Sequence, residues 1–273
     1  MKISVSTLGC PTWSLSEILA NCPQYGYNGI EFRGLEGHLD INCSPHFATP
    51  DAIAATKRQF DEVGLAISAI DCSAQLASLK GIEQSRAEAR AAINLAQALG
   101  ARFIRVFGGE AADGESRETA TDRLVEELFV LGDYAYDRNV SVLLENHDAY
   151  VSGIQLAEVL SRVRHSAVGA LWDVHNSVVA GESVSDSISA LLPFLRFVHV
   201  KDSRSSDDTY CLLGEGDKPI RESVLKLFEQ GYNGTISVEW EKLWQPNLIE
   251  PEVVFPQYSK KLMEYLGQAF LTH

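Results

Sequence analysis

Residues 230–239 read "QGYNGTISVE": a glycine-rich turn, then a short β-branched and apolar run that stops on a carboxylate. The tetrapeptide "GYNG" also stands at 26–29, inside "QYGYNGIEF" (24–32), and again a β-rich run follows it. The phrase returns with variations as "VGLAISAI" (63–70), "LGARFIRVF" (99–107) and "RNVSVLLE" (138–145). A glycine or asparagine just past a helix supplies the left-handed residue that ends it. The apolar run that follows reads as a buried strand.

Strand candidates lie at 3–8, 28–33, 65–71, 102–107, 140–145, 167–173, 195–200 and 235–240. Helical candidates fall between them near 14–25, 50–63, 83–99, 118–138, 153–163, 184–192, 219–230 and 254–270. The clearest are 83–99 and 118–138, rich in Ala, Leu, Glu and Arg. Eight strand–helix alternations with short connections predict an α/β fold in which a parallel sheet closes as a (β/α)8 barrel. An open doubly wound sheet is the alternative, but no GxGxxG follows the first strand. No Pro-, Ser- or Gly-rich linker interrupts the chain, so 1–273 reads as one domain. Two long loops, 34–49 and 202–218, follow strands and are expected at the C-terminal rim, where barrel enzymes build their sites.

The late strands end alike. The fifth closes on "SVLLENH", the sixth on "VGALWDVHN", the seventh on "FVHVKD" and the eighth on "ISVEWE", offering Glu145, Asp173, His199 and Glu239. Strand alternation puts Glu145 on a face with Ser141 and Leu143, Asp173 with Gly169 and Leu171, His199 with Phe197 and Lys201, and Glu239 with Ser237 and Glu241. Neighbouring strands run about 4.8 Å apart, and closure curves them round one mouth, so the four side chains can converge. Three carboxylates meeting there would repel. A divalent ion resolves the repulsion, and oxygen donors with one imidazole suit Mn²⁺, Mg²⁺, Co²⁺ or Zn²⁺.

Taken in order, "GIEFRG" (29–34), "RVFGG" (105–109), "LLENH", "WDVHN", "HVKD" (199–202), "LGEGD" (213–217) and "SVEWE" give the chain a resemblance to the xylose-isomerase-like TIM-barrel superfamily. Within it, the chain resembles the sugar-phosphate isomerase/epimerase branch. The resemblance covers nearly the whole chain. It implies metal binding by Glu145, Asp173, His199 and Glu239, with Glu145 and Glu239 also serving as acid/base groups. The implied chemistry is proton transfer at a carbon next to a carbonyl, with an ene-diolate stabilised by the metal. Some epimerases of the superfamily carry a His three residues after the Asp; here that place is Asn176, preceded by His175.

Further residues have expected roles near such a centre. His147 and His175 each lie two residues past a ligand and are candidates for substrate contact or support of the metal ligands. Arg204 could hold a substrate hydroxyl or phosphate. Lys201 could bind substrate or neutralise the carboxylates, and Glu31 and Arg105 read as an ion pair across the barrel. Trp13, Trp240 and Trp244 could wall a sugar pocket.

Charge and composition exclude several classes. The 37 acidic and 23 basic residues give a formal net charge of −14, which disfavours nucleic acid and anionic membranes as partners. An abasic-site endonuclease shares the barrel, but it calls for a basic face and more than the seven histidines present. Five scattered cysteines without a CxxC pair argue against a disulfide framework or thiolate zinc site, which suits a reducing cytoplasm. No apolar run approaches the ~20 residues of a membrane-spanning helix. The expectation is a metal-dependent isomerase or epimerase of a small polyhydroxy carbonyl compound, with a homo-oligomer possible. A dehydratase of a cyclic polyol or keto acid, such as an inosose, could use the same centre, and a sugar-binding barrel without catalysis is the non-enzymatic alternative.

Overall fold

A computed structural model describes residues 1–207 and 209–271. The strands in chain order are β1 (Lys2–Ser6), β2 (Gly29–Phe32), β3 (Ala66–Gln75), β4 (Phe103–Phe107), β5 (Ser141–Glu145), β6 (Val168–Asp173), β7 (Leu195–Val200), β8 (Asp202–Ser203), β9 (Tyr210–Cys211) and β10 (Thr235–Val238). Eight of them close a barrel in the order β1-β10-β7-β6-β5-β4-β3-β2, while β8 and β9 pair apart as a small hairpin. The helices are α1 (Leu15–Gln24), α2 (Pro50–Val63), α3 (Ile82–Leu99), α4 (Arg117–Tyr136), α5 (Gly153–Val163), α6 (Val174–Val179), α7 (Val184–Leu191), α8 (Ile220–Glu229) and α9 (Pro251–Leu271).

The recurrent helix–glycine–strand phrase has the anticipated backbone. Gly26, Gly64, Gly100, Asn139 and Gly231, each just past a helix, all have positive φ. Three features differ from the sequence expectation. Strand β3 runs on to Gln75, with its register to β4 shifting between Asp71 and Gln75. The short helix α6 begins directly after β6, because the Asp173 carboxylate accepts from the Asn176 amide 3.0 Å away and caps it. The loop after β7 is not wholly irregular, since it contains the antiparallel β8–β9 hairpin.

The chain divides into two compact units, Met1–Ser68 with Val198–His273, and Ala69–Phe197. In the first, β1 pairs in parallel with both β10 and β2, matching Ser4 with Ser237 and with Gly29. Ser4, Ser6 and Ser237 are fully buried, small enough for a crowded interior. Helix α9 buries Val254, Phe255, Tyr258 and Leu262 on one stripe. Trp13 and Tyr27 meet the Phe255 ring edge-on.

In the second unit, β4, β5 and β6 pair in parallel, with Arg105 level with Leu143 and Leu143 level with Gly169. Ala69, Leu143, Leu171 and Phe197 form one buried apolar cluster, and Phe103 packs against it. Close-packed apolar layers of this kind fill a barrel rather than leave a pore. All five cysteines are free, and no helix among the described residues is long and apolar enough to cross a membrane.

Candidate metal centre and active site

Each residue of that apolar layer is followed, two positions on, by a polar one: Ala69 by Asp71, Leu143 by Glu145, Leu171 by Asp173 and Phe197 by His199. Side chains two apart share a strand face and lie about 6.6 Å apart along it. The apolar layer therefore supports a layer of ionisable groups towards the C-terminal end of the strands, and all four of these are buried.

In the unit Ala69–Phe197, Arg105 organises the carboxylates. Its Nε lies 3.1 Å from Glu145 Oε2 and its Nη2 donates to Asp71 Oδ2 at 3.2 Å. Nη1 donates to the Cys72 carbonyl at 3.1 Å, and the guanidinium lies 4.0 Å over the Phe107 ring. Asp173 is held by its backbone. Its amide donates to Asn146 Oδ1 at 2.6 Å, and the same Asn146 side chain donates to the Asp173 carbonyl at 3.0 Å and to Ser177 Oγ at 3.1 Å. This double clasp fixes the end of β6 beside the end of β5.

In the other unit, His199 is oriented by Glu31. Its Nε2 lies 2.7 Å from Glu31 Oε1, while Ser237 Oγ donates to Glu31 Oε2 at 2.6 Å. The opposite ring nitrogen, Nδ1, faces Glu239 Oε1 at 3.3 Å. Lys201 Nζ donates to Glu239 Oε2 at 2.5 Å and reaches Glu241 Oε1 at 2.8 Å.

One ligand atom from each of Glu145, Asp173, His199 and Glu239 lies within 4.8 Å of the other three, and all four residues are buried. The donor set fits a divalent cation. Three carboxylates this close repel unless a cation is shared, and the imidazole has its outer nitrogen on a carboxylate, as metal-bound histidines do. This buried carboxylate–imidazole cluster could therefore bind a metal.

A family model described as xylose isomerase-like TIM barrel matches residues 19–256. The chain belongs to this family. Fructoselysine 3-epimerase of Shigella flexneri is 24% identical over 255 residues, spanning 88% of this chain and 90% of the relative. Among solved structures, an L-ribulose 3-epimerase has a TM-score of 0.81 at 16% identity, covering 99% of this chain and 96% of that one. A probable 3-DHS dehydratase from Bacillus anthracis has a TM-score of 0.78 at 20% identity, covering 96% and 99%. At such identities the structural likeness is one of fold.

Within the xylose isomerase-like barrel, the remaining expected site residues separate. Lys201 is buried and neutralises carboxylates. His147 lies past the end of β5, its side chain half-exposed and tilted against Phe107 at 4.6 Å. Burial pushes its pKa down, but the 2.7 Å contact with Asp148 and the charges of Glu145 and Asp148 outweigh this and leave it raised. His175 is buried on α6, not on the strand face shared with Asp173, because the chain has already turned into the helix.

Other candidates have partners that the sequence did not name. Arg204 is exposed in the hairpin, its guanidinium 3.6 Å from Glu215, a surface pairing that gives no support to phosphate binding. Trp13 packs on Phe255 and donates Nε1–H to Glu252 at 2.9 Å, so it braces α9. Trp240 is likewise buried, donating to the Ile249 carbonyl. The Glu31–Arg105 pair dissolves into two separate arrangements, Glu31 with His199 and Arg105 with Asp71 and Glu145.

Sequence reasoning missed Asp71 and Asn146. Asp71 ends the run "AISAID" on a carboxylate, the same signal that marked the later strands. Asn146 stands beside Glu145, but nothing in its spacing announces a clasp between two strands. Asp202 was also passed over. Buried at the foot of the hairpin, it accepts from the amides of Gly214, Gly216 and Lys218, and so explains the "LGEGD" motif. A Cβ on Gly216 would sit 2.2 Å from Asp202 Oδ1, so glycine is required there by the closeness of approach.

Proposed function

We propose that the protein is a divalent-metal-dependent epimerase of a small ketose or related polyhydroxy carbonyl compound. The observation that carries this reading is the four-ligand cluster of Glu145, Asp173, His199 and Glu239, with His199 oriented by Glu31. The fructoselysine 3-epimerase relative, matched over most of both chains, supports epimerisation over the other reactions open to the family.

A cation held by these four residues would act as a Lewis acid on the substrate's carbonyl oxygen and make the neighbouring carbon more acidic. Glu145 and Glu239 are the proton-transfer groups in this reading. Each has one carboxylate oxygen tethered to a buried cation, Arg105 or Lys201, which fixes its direction and balances its charge. One carboxylate removes the proton from the carbon beside the carbonyl. The other, arriving protonated, returns a proton to the opposite face, and the configuration inverts. The Asn146 clasp holds the end of β6, and with it Asp173, in place during the exchange.

The test is metal content and isotope exchange on the purified protein. Wild type is expected to hold one divalent ion per chain and to incorporate deuterium from D2O beside the carbonyl of D-fructose or a related ketose. Asp173→Ala should lose both properties. Equal metal in the two proteins would overturn the proposed ligand set. Metal-loaded protein that exchanges no hydrogen in any ketose of a panel would overturn the reaction.

A further inference from the structure

Strand β5 ends at Glu145, yet the backbone is still extended two residues on, at His147 (φ −148°, ψ 168°). Side chains two apart on an extended chain share a face, and the Glu145 carboxylate is near enough for its charge to act on the imidazole. His147 precedes a single helical turn, Asp148–Tyr150, but its side chain does not cap that turn. The ring lies instead against Phe107, centroids 4.6 Å apart, and the same Phe107 carries the Arg105 guanidinium at 4.0 Å. Arg105 in turn holds Glu145. His147 is therefore joined through Phe107 and Arg105 to a proposed proton-transfer group, and all four residues belong to the unit Ala69–Phe197.

Asp148 serves this ring. Its Oδ1 lies 2.7 Å from His147 Nδ1, while Oδ2 is buried with no hydrogen-bond partner among the described residues. Its φ of +52° is a left-handed conformation unfavourable for a residue with a Cβ. Two local costs thus meet at one residue, and such costs concentrate where a side chain is held for function. The turn itself is pinned. The His147 carbonyl accepts from the Tyr150 amide at 2.9 Å, and Arg117 donates to the Ala149 carbonyl at 2.6 Å. Thr121 Oγ1 meets the Tyr150 hydroxyl at 3.0 Å. A Cβ on Gly108, the residue after Phe107, would fall 2.3 Å from Tyr150, so the turn sits tight against the end of β4. The imidazole thus has one nitrogen fixed. The other, Nε2, is hydrogen-bonded to no described residue, on a side chain that is 44% exposed.

We propose that His147 Nε2 is the contact for one hydroxyl of the ketose chain, and that Asp148 is the positioning residue that sets the ring for it. The inference rests on the epimerase reading and adds to it how the sugar's hydroxyl pattern is recognised. A hydroxyl both donates and accepts, so it meets a bare Nε2 or a protonated one, and the contact requires no change of charge on the ring. A group built to hydrogen-bond a substrate hydroxyl discriminates against an analogue that lacks it, because the deoxy carbon leaves a polar atom unmet.

Calorimetric titration of the metal-loaded protein with D-fructose and its 1-, 4-, 5- and 6-deoxy analogues tests this without requiring turnover. His147→Phe, which keeps a ring against Phe107, should weaken D-fructose about ten-fold. It should leave unchanged the affinity for one analogue, the one lacking the hydroxyl that Nε2 meets. Asp148→Gly, which adopts the positive φ freely and removes the carboxylate, should give the same selective loss in smaller measure. Asp148→Asn, which keeps an acceptor for Nδ1–H, should restore most of it. A merely structural role would weaken all five sugars by one factor; that result, or an undiminished affinity of His147→Phe for D-fructose, would overturn the contact. Deuterium exchange on the same proteins separates the two readings. Exchange in wild type without selective loss in His147→Phe removes the contact and leaves the epimerase, and selective loss without exchange does the reverse. A wild-type protein that binds none of the five sugars overturns both.

Discussion

Glu31 Oε1 lies 2.7 Å from His199 Nε2, with both side chains fully buried. The contact leaves the His199 Nδ1 edge to face Glu239. A carboxylate on the outer nitrogen of a ligating imidazole fixes ring and tautomer, and its loss typically costs ten- to a hundred-fold in metal affinity. Glu31→Gln should therefore weaken metal binding by about that factor. Competition with a metal-sensitive chelator dye reads it out directly. Ser237→Ala, which removes the 2.6 Å donor to Glu31, should have a smaller effect in the same direction.

Lys201 is buried between Glu239 and Glu241. Removing one partner of a buried ion pair strands the other and costs about 3–5 kcal/mol. Lys201→Met should destabilise the metal-free protein by about that amount in urea denaturation. Added divalent metal should recover part of the loss, because a cation beside Glu239 replaces some of the missing charge. Identical loss with and without metal would show that Glu239 is not a ligand.

Asp202 takes three backbone amides from the 214–218 loop. Leaving buried donors unmet costs about 1–3 kcal/mol each. Asp202→Ala should lower stability by about 3 kcal/mol or more, with hydrogen exchange accelerating first at Gly214, Gly216 and Lys218. Gly216→Ala should act on the same loop through steric conflict, since its Cβ would fall on the Asp202 carboxylate.

Hydrogen bonds from Ser205, first its hydroxyl and then its amide, hold Asp217 down to about 2 from a usual 3.8. A folded-state value below the unfolded one means that the contact contributes above about pH 4 and is lost as the pH falls towards 2. The Ser205 amide resonance should follow this titration. Ser205→Ala should move the Asp217 midpoint back up.

The candidate centre was legible to different depths. Glu145, Asp173, His199 and Glu239 stood out because each ends a strand of one repeating phrase, and the spacing of strand ends is a property of the chain itself. Glu31 and Arg105 were visible as strand-end charges, but their partners were not. The sequence expectation joined them to each other, whereas the structure gives Glu31 to His199 and Arg105 to Asp71 and Glu145. Pairing depends on which side chains share a layer and reach one another, and that is set by register and closure. The two-residue rule failed at His175, because Asp173 caps a helix and the alternation of the strand ends there.

By itself, the sequence determined the succession of elements, the closing of helices on glycine or asparagine, and the four positions at which strands end in a carboxylate or an imidazole. These follow from local backbone preference and from the two-residue period of a strand. Only the tertiary structure decided that Asn146 clasps Asp173, that Asp202 carries the 213–218 loop, and that Trp13 packs against α9. Each of these contacts joins residues by distance in space, and no local preference encodes such a distance until the barrel has brought the strands together.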